Sequence, residues 1–130
     1  MKRDMDLVRK ILLAVEESDG FWNGPFEIDG FDPQLVNDHI LLVQQAGLLS
    51  ASWSTKASGA KEVIVVQEIT WEGHEFLDAA RNEGIWREVK ETLKEKGVDG
   101  TFELVKKIAS KLLEKKFNSL FEDGETLELE

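Results

Sequence analysis

Residues 36–49 read VNDHILLVQQAGLL, and together with ITWEGHEFL at 69–77 they decide the fold. At about 100° per residue, Leu35, His39, Leu42, Val43 and Ala46 fall on one face, with Val36 at its margin. This periodicity predicts an amphipathic helix that begins at Pro33, after Asp32 as N-cap and with proline in the first turn. Gly47 supplies a left-handed stop, and Leu48 and Leu49 turn back toward the core. Leu49–Thr55 and Lys61–Ile69 are β-rich runs around a small tip at 56–60, which predicts a hairpin. Thr70 stands where it can cap a helix over 71–81, broken by 82–84.

Outward from this centre, residues 4–18 carry Val8, Ile11, Leu12 and Val15 in helical register, ended by Ser18, Asp19 and Gly20. Residues 21–32 are glycine-rich and aromatic, and 25–28 read as a short first strand. Ile85, Trp86, Val89 and Leu93 give a helix over 85–96. After a linker at 97–100, Thr101 starts a last helix to about 121. Its apolar face is Phe102, Val105, Ile108, Ala109, Leu112, Leu113, Phe117 and Leu120, and the tail from 122 is acidic. Helix, glycine, apolar pair, hairpin, helix is the order of a winged helix-turn-helix. The expected class is α+β, mostly α, with a β-hairpin wing and a helical C-terminal extension. The expected divisions are 1–96, 97–121 and 122–130.

With 130 residues and 42% apolar composition the chain can bury one core without staples. It has no cysteine, which excludes disulfides and thiolate chemistry and suits a cytoplasmic location. No apolar run approaches the roughly 20 residues that span a bilayer. The opening MKRDMDLVRKILLAV lacks the uninterrupted apolar stretch and cleavage site of a signal peptide. A net charge of −10 repels nucleic acid on average, so any such site has to be a local exception.

Two resemblances rest on these segments. HILLVQQAGLL is similar to the recognition helix of winged-helix repressors of the metal-sensing ArsR type, and ITWEGHEFL to the element that follows their wing. The opening MKRDMDLVRKILLAVEE, HILLVQQAGLL and ITWEGHEFLDAARNEGIW, taken in order, resemble a bacterial and prophage family, domain of unknown function 2513. That likeness implies a fold and a phage or mobile-element setting, and no activity.

Chemistry is poorly supplied. A metal needs three or four converging ligands, yet the histidines are only His39 and His74, and His39 has no carboxylate at i+3 or i+4. No nucleophile elbow is present, and no carboxylate pair stands out among 26 acids. The reading is a non-enzymatic module with no catalytic residue, metal, cofactor or small-molecule substrate. His39 is expected as a hydrogen-bonded residue at the core edge and His74 on a helix surface. Trp71 is expected to cover a junction; Trp22 and Trp53 are expected mainly in the core, with an apolar contact surface shared with Leu41 as the lesser reading.

The helix at 33–46 turns Gln34, Asn37, Leu41, Gln44 and Gln45 outward, with Asp38 at the flank. Amides there can read base edges, adenine above all. Phosphate neutralisation is scarce, because the helix has no lysine or arginine and the wing offers only Lys56 and Lys61, with Glu62 beside it. Gln34, Asn37, Gln44, Lys56 and Lys61 are the candidate contacts for duplex DNA. A second basic surface, Lys107, Lys111 and Lys115 with Lys106 and Lys116, reads as a solvated helix face. Leu41, Phe117, Leu120 and Phe121 are the candidates for a protein partner or homo-oligomer, because the last apolar stripe outruns a small neighbouring helix. Protein interaction or oligomerisation is the first reading and DNA-binding regulation the alternative.

Overall fold

The structure, a computed structural model, describes residues 1–19, 21–97 and 102–122. The expected roles of Gly20, the linker after Gly97, Thr101 and the acidic tail from 123 lie outside the described residues. So do the side chains of Phe102 and Phe121. Two compact units form, Met1–Asp78 and Ala79–Glu130, and each is described by itself.

In the first unit, α1 (Met5–Glu17) starts where the Asp4 carboxylate accepts the Asp6 and Leu7 N–H groups. Two donors that a helix start leaves orphaned are thereby satisfied. Leu7, Val8, Ile11, Leu12 and Val15 are buried. Among the described residues no helix lies between α1 and the next helix. Residues 25–28 are not the expected strand; the segment's sheet contact is an isolated bridge from Trp22 to Val66. Proline at 25 removes a ladder donor, so the pairing falls instead on Trp22, whose N–H and carbonyl both bond Val66.

Helix α2 (Pro33–Gln45) has Asp32 at its N-cap and proline in the first turn, but the Asp32 side chain makes no capping bond. Its buried residues are Val36, His39, Ile40 and Val43. Leu35 and Leu42 are only half-buried and Ala46 is exposed, so the inward face is rotated from the expected one. The cause is plain in the sequence: Leu35, Val36, Ile40, Leu41, Leu42 and Val43 spread apolar character over much of the circumference. Gly47 follows with φ +81°, and Leu48 and Leu49 are buried.

Strands β1 (Leu49–Thr55) and β2 (Lys61–Ile69) form the antiparallel hairpin with the expected bounds. The tip closes through bonds from Lys56 N–H to Ala60 carbonyl and from Gly59 N–H to Lys56 carbonyl. Register shifts fall between Ser50 and Ala51 and between Ser52 and Trp53, leaving Gln67 and Ile64 as extra residues on β2. Such bulges increase local twist. Gln67 bonds the Ser52 hydroxyl across the strands.

Helix α3 (Trp71–Ala80) begins at Thr70, whose hydroxyl accepts the Gly73 N–H at 3.1 Å and donates to the Gly47 carbonyl at 2.5 Å. Gly73 is required by close approach. A Cβ there would lie 2.0 Å from the Leu48 carbonyl oxygen and 2.6 Å from Ile69 Cγ2. Trp71 does not cover the junction, being 78% exposed.

In the second unit, α4 (Glu83–Lys96) starts from Asn82, whose side chain accepts the Ile85 N–H at 3.0 Å. Gly84 therefore lies within its first turn. Ile85, Trp86 and Val89 are buried, and left-handed Gly97 ends the helix. Helix α5 (Phe102–Glu122) packs against α4 and buries Val105 and Ala109.

Candidate binding surface of α2 and the hairpin

The outward side of α2 faces the hairpin, and its residues have particular neighbours. The Asn37 carboxamide accepts the Val63 N–H at 2.8 Å and donates to the Lys61 carbonyl at 3.0 Å. It pairs with β2 where a further strand would pair. An edge strand left open is a template for unwanted association, and one side chain closes this stretch of it. The same amide nitrogen lies 3.4 Å from Asp38 Oδ1, which also receives Gln34 at 3.0 Å.

The cations of the hairpin are similarly engaged. Lys56 pairs with Glu62 at 3.3 Å, an exposed bridge of small energetic worth. The Lys61 ammonium lies 5.6 Å from the centre of the Trp53 ring, within cation–π range. Trp53 itself is 38% exposed instead of lying in the core, whereas Trp22 is buried and meets the Phe26 ring edge-on at 5.1 Å.

Between α2 and the hairpin lies a hollow of about 260 Å³, lined by Met1, Asp38, Leu41, Leu42, Gln44, Gln45, Trp53 and Lys61. Thus Gln44, Leu41 and Lys61, three of the residues singled out from the sequence, share one concavity. Gln34 and Lys56 are not in its wall. Trp53 joins Leu41 there, as the lesser reading of the sequence had it, while Met1 and Leu42 are new to the site.

Met1 belongs to an arm, residues 1–3, held through its neighbour Asp4. His39 is fully buried, and its Nε2 accepts the Asp4 N–H at 2.9 Å while Nδ1 lies 2.9 Å from the Leu35 carbonyl. A backbone N–H can only donate and a carbonyl can only accept, so Nδ1 carries the proton and Nε2 does not. The pair lies 35 residues apart in sequence, so no local pattern announces it.

The other partner candidates lie on α5. Phe117 is 49% exposed and Leu120 54%, while Ile108, Leu112 and Leu113 are half-buried. Lys107, Lys111, Lys115 and Lys116 are exposed and Lys106 half-buried. His74 lies on the surface of α3 as expected. Among the described residues no group of histidines and carboxylates could hold a metal, and no helix is long and apolar enough to cross a membrane.

A hairpin braced by a carboxamide on a helix, with an aromatic hollow beside it, defines a small α+β module, mostly helical. The chain belongs to the family described as hypothetical protein DUF2513, whose model matches residues 2–99. It is 35% identical over 116 residues to an uncharacterised protein of Haemophilus influenzae, covering 87% of this chain and 96% of that relative. No solved structure matches the chain.

Proposed function

We propose that this chain is a non-enzymatic, winged-helix-like binding module that acts through protein–protein contact in a bacterial or phage regulatory setting. The observation that carries this reading is the commitment of Asn37 to the hairpin backbone. Asn37 is one of the α2 amides that could read adenine, and to do so it would have to abandon two bonds to β2. Lys56 is paired with Glu62, and the remaining wing cation stands over an aromatic ring. The surface left for a partner is the exposed indole of Trp53, a side-chain type enriched at protein-binding hot spots, beside half-buried Leu41 and Leu42.

Oligomerisation is the second form of the same reading, favoured by the half-exposed Phe117 and Leu120 near the end of α5. Covering the exposed half of each would contribute about 0.7–1.5 kcal/mol. The alternative, a DNA-binding regulator, would rest on Gln34, Gln44 and Lys61 with little phosphate neutralisation.

Amide NMR spectra of the chain, titrated with a short random-sequence duplex at low salt, test the choice. The expected outcome is no coherent shift along α2. Perturbation running through Gln34, Asn37, Gln44 and the hairpin tip would overturn the protein reading.

A further inference from the structure

The stretch that joins α1 to α2 contains the dipeptide Asn23-Gly24. Asparagine before glycine is the pair in which a side-chain carboxamide is most readily attacked by the next backbone nitrogen, because glycine has no side chain to hinder the approach. The chain has four asparagines, and the structure separates this one from the rest. Asn37 is held by Val63 and Lys61. Asn82 caps α4 by accepting the Ile85 N–H. Asn118 lies inside α5, where the following N–H is committed to the helix ladder and is not free to reach the carboxamide. Asn23 is exposed, lies outside the helices and strands, and is the only one of the four followed by glycine. Among the described residues neither its carboxamide nor the Gly24 N–H has a hydrogen-bond partner. Gly24 stands at φ +98°, so the backbone itself favours glycine at this position. The residue before the pair is a structural clamp. Trp22 is buried, exchanges bonds with Val66 at 2.9 and 2.8 Å, and packs its ring edge-on to Phe26.

We propose that Asn23 is a site of spontaneous deamidation, converted through a cyclic imide with Gly24 to aspartate and isoaspartate, and that the conversion loosens the Trp22 clamp on β2. The Gly24 nitrogen gives its proton to solvent base and attacks the side-chain carbonyl carbon of Asn23. A new carbon–nitrogen bond closes the imide, the bond to the carboxamide nitrogen breaks, and ammonia leaves with the proton. Water then opens the ring. Cleavage on the side-chain side gives aspartate, and cleavage on the main-chain side gives isoaspartate, with the chain running through the former side chain. The net change is water consumed and ammonia released, with no oxidation or reduction. Either product adds a negative charge next to Trp22. Isoaspartate also adds a backbone atom between Trp22 and Phe26, so the Val66 bonds and the ring contact no longer fit the same chain length.

Incubation of the full chain at mildly alkaline pH, beside the same chain unfolded in guanidinium, followed by peptide mass spectrometry, tests it. In the folded chain the peptide holding Asn23 is expected to exchange NH for O, at a rate close to that of the unfolded chain and rising with pH. Asn37, Asn82 and Asn118 should stay intact, and fragmentation that distinguishes isoaspartate should find it at residue 23. Hydrogen exchange at the Trp22 and Val66 amides should quicken in the converted protein. Asn23→Gln should abolish the conversion, because the imide would need a larger ring, and should leave both amides protected. A carboxamide at Asn23 that survives in the folded chain while the unfolded chain converts would overturn the proposal, since the fold would then hold the two groups apart. Conversion of Asn37, Asn82 or Asn118 as fast as Asn23 would overturn its selectivity. Unchanged exchange at Trp22 and Val66 after conversion would overturn the coupling to β2.

Discussion

Asn37 and Val63 are joined as two strands would be: the side-chain oxygen of one accepts the backbone N–H of the other at 2.8 Å. The amide end of Asn37 completes the pairing at the Lys61 carbonyl, so α2 and the hairpin are fastened by one residue. Removing it leaves a part-buried N–H without its partner. Asn37→Ala should therefore destabilise the chain by about 1–3 kcal/mol, read by urea denaturation. Asn37→Asp keeps an acceptor for Val63 but puts an anionic oxygen against the Lys61 carbonyl and the Asp38 carboxylate, so it should not recover the lost stability. Faster hydrogen exchange at Val63 in Asn37→Ala would trace the loss to this bond. An unchanged exchange rate would show that the hairpin edge is held in some other way.

Gly73 and Gly47 separate two reasons for a glycine. At Gly47 the backbone is left-handed with no atom within 4 Å of an added Cβ, so Gly47→Ala carries strain alone, about 1–2 kcal/mol. At Gly73 the added methyl would strike the Leu48 carbonyl oxygen at 2.0 Å, and backbone cannot step aside as a flexible side chain can. Overpacking costs typically about 1–3 kcal/mol, and a backbone clash belongs at or beyond the upper end. Thermal unfolding should rank Gly73→Ala well below Gly47→Ala, with loss of the fold the extreme outcome. Equal effects would refute the close approach of α3 to Leu48.

His39 has a spectroscopic signature. Its two contacts require the tautomer protonated at Nδ1, so the ring nitrogen shifts should report Nε2 as the bare nitrogen. The reverse assignment would contradict the Asp4 contact. His39→Leu should destabilise by about 1–3 kcal/mol through the stranded Asp4 N–H. It should also make residues 1–4 easier to cleave with trypsin at Lys2 and Arg3.

The end of α5 gives a prediction about assembly. With Phe117 and Leu120 half-exposed, light scattering of the full chain should show concentration-dependent association. Phe117→Asp with Leu120→Asp should abolish it. A chain that stays monomeric at high micromolar concentration would refute self-association by this face.

Much of this architecture is legible in the sequence, and the parts that are not share a cause. The hairpin could be bounded because β-branched runs flank a glycine-containing tip, and Gly47 and Thr70 punctuate the chain by local rules. The inward face of α2 could not, because its apolar residues cover too much of the helix for periodicity to select Val36 and Ile40 over Leu35 and Leu42. Trp71 reads as covering a junction and Trp53 as core, and only tertiary placement leaves them exposed. The engagement of Asn37 joins positions 24 and 26 residues apart, and that of His39 spans 35. No short-range pattern marks either, so an asparagine that looks free to read a base is in fact a strand clamp. The hollow was half visible, since Leu41, Gln44 and Lys61 were singled out for other reasons, and the arm and Trp53 complete it.

The most direct test of the central claim, that the α2 surface serves protein contact and not duplex DNA, is fluorescence anisotropy of a labelled random-sequence duplex titrated with the chain across salt concentrations. Each phosphate neutralised contributes about −0.9 to the slope of log K against log salt. Predicted is weak binding at low salt, with a slope matching no more than about 2–4 phosphates per protomer and no sensitivity to Asn37→Ala in a folded variant. Tight binding with a steep slope, reduced by Asn37→Ala and by Gln34→Ala, would contradict the account.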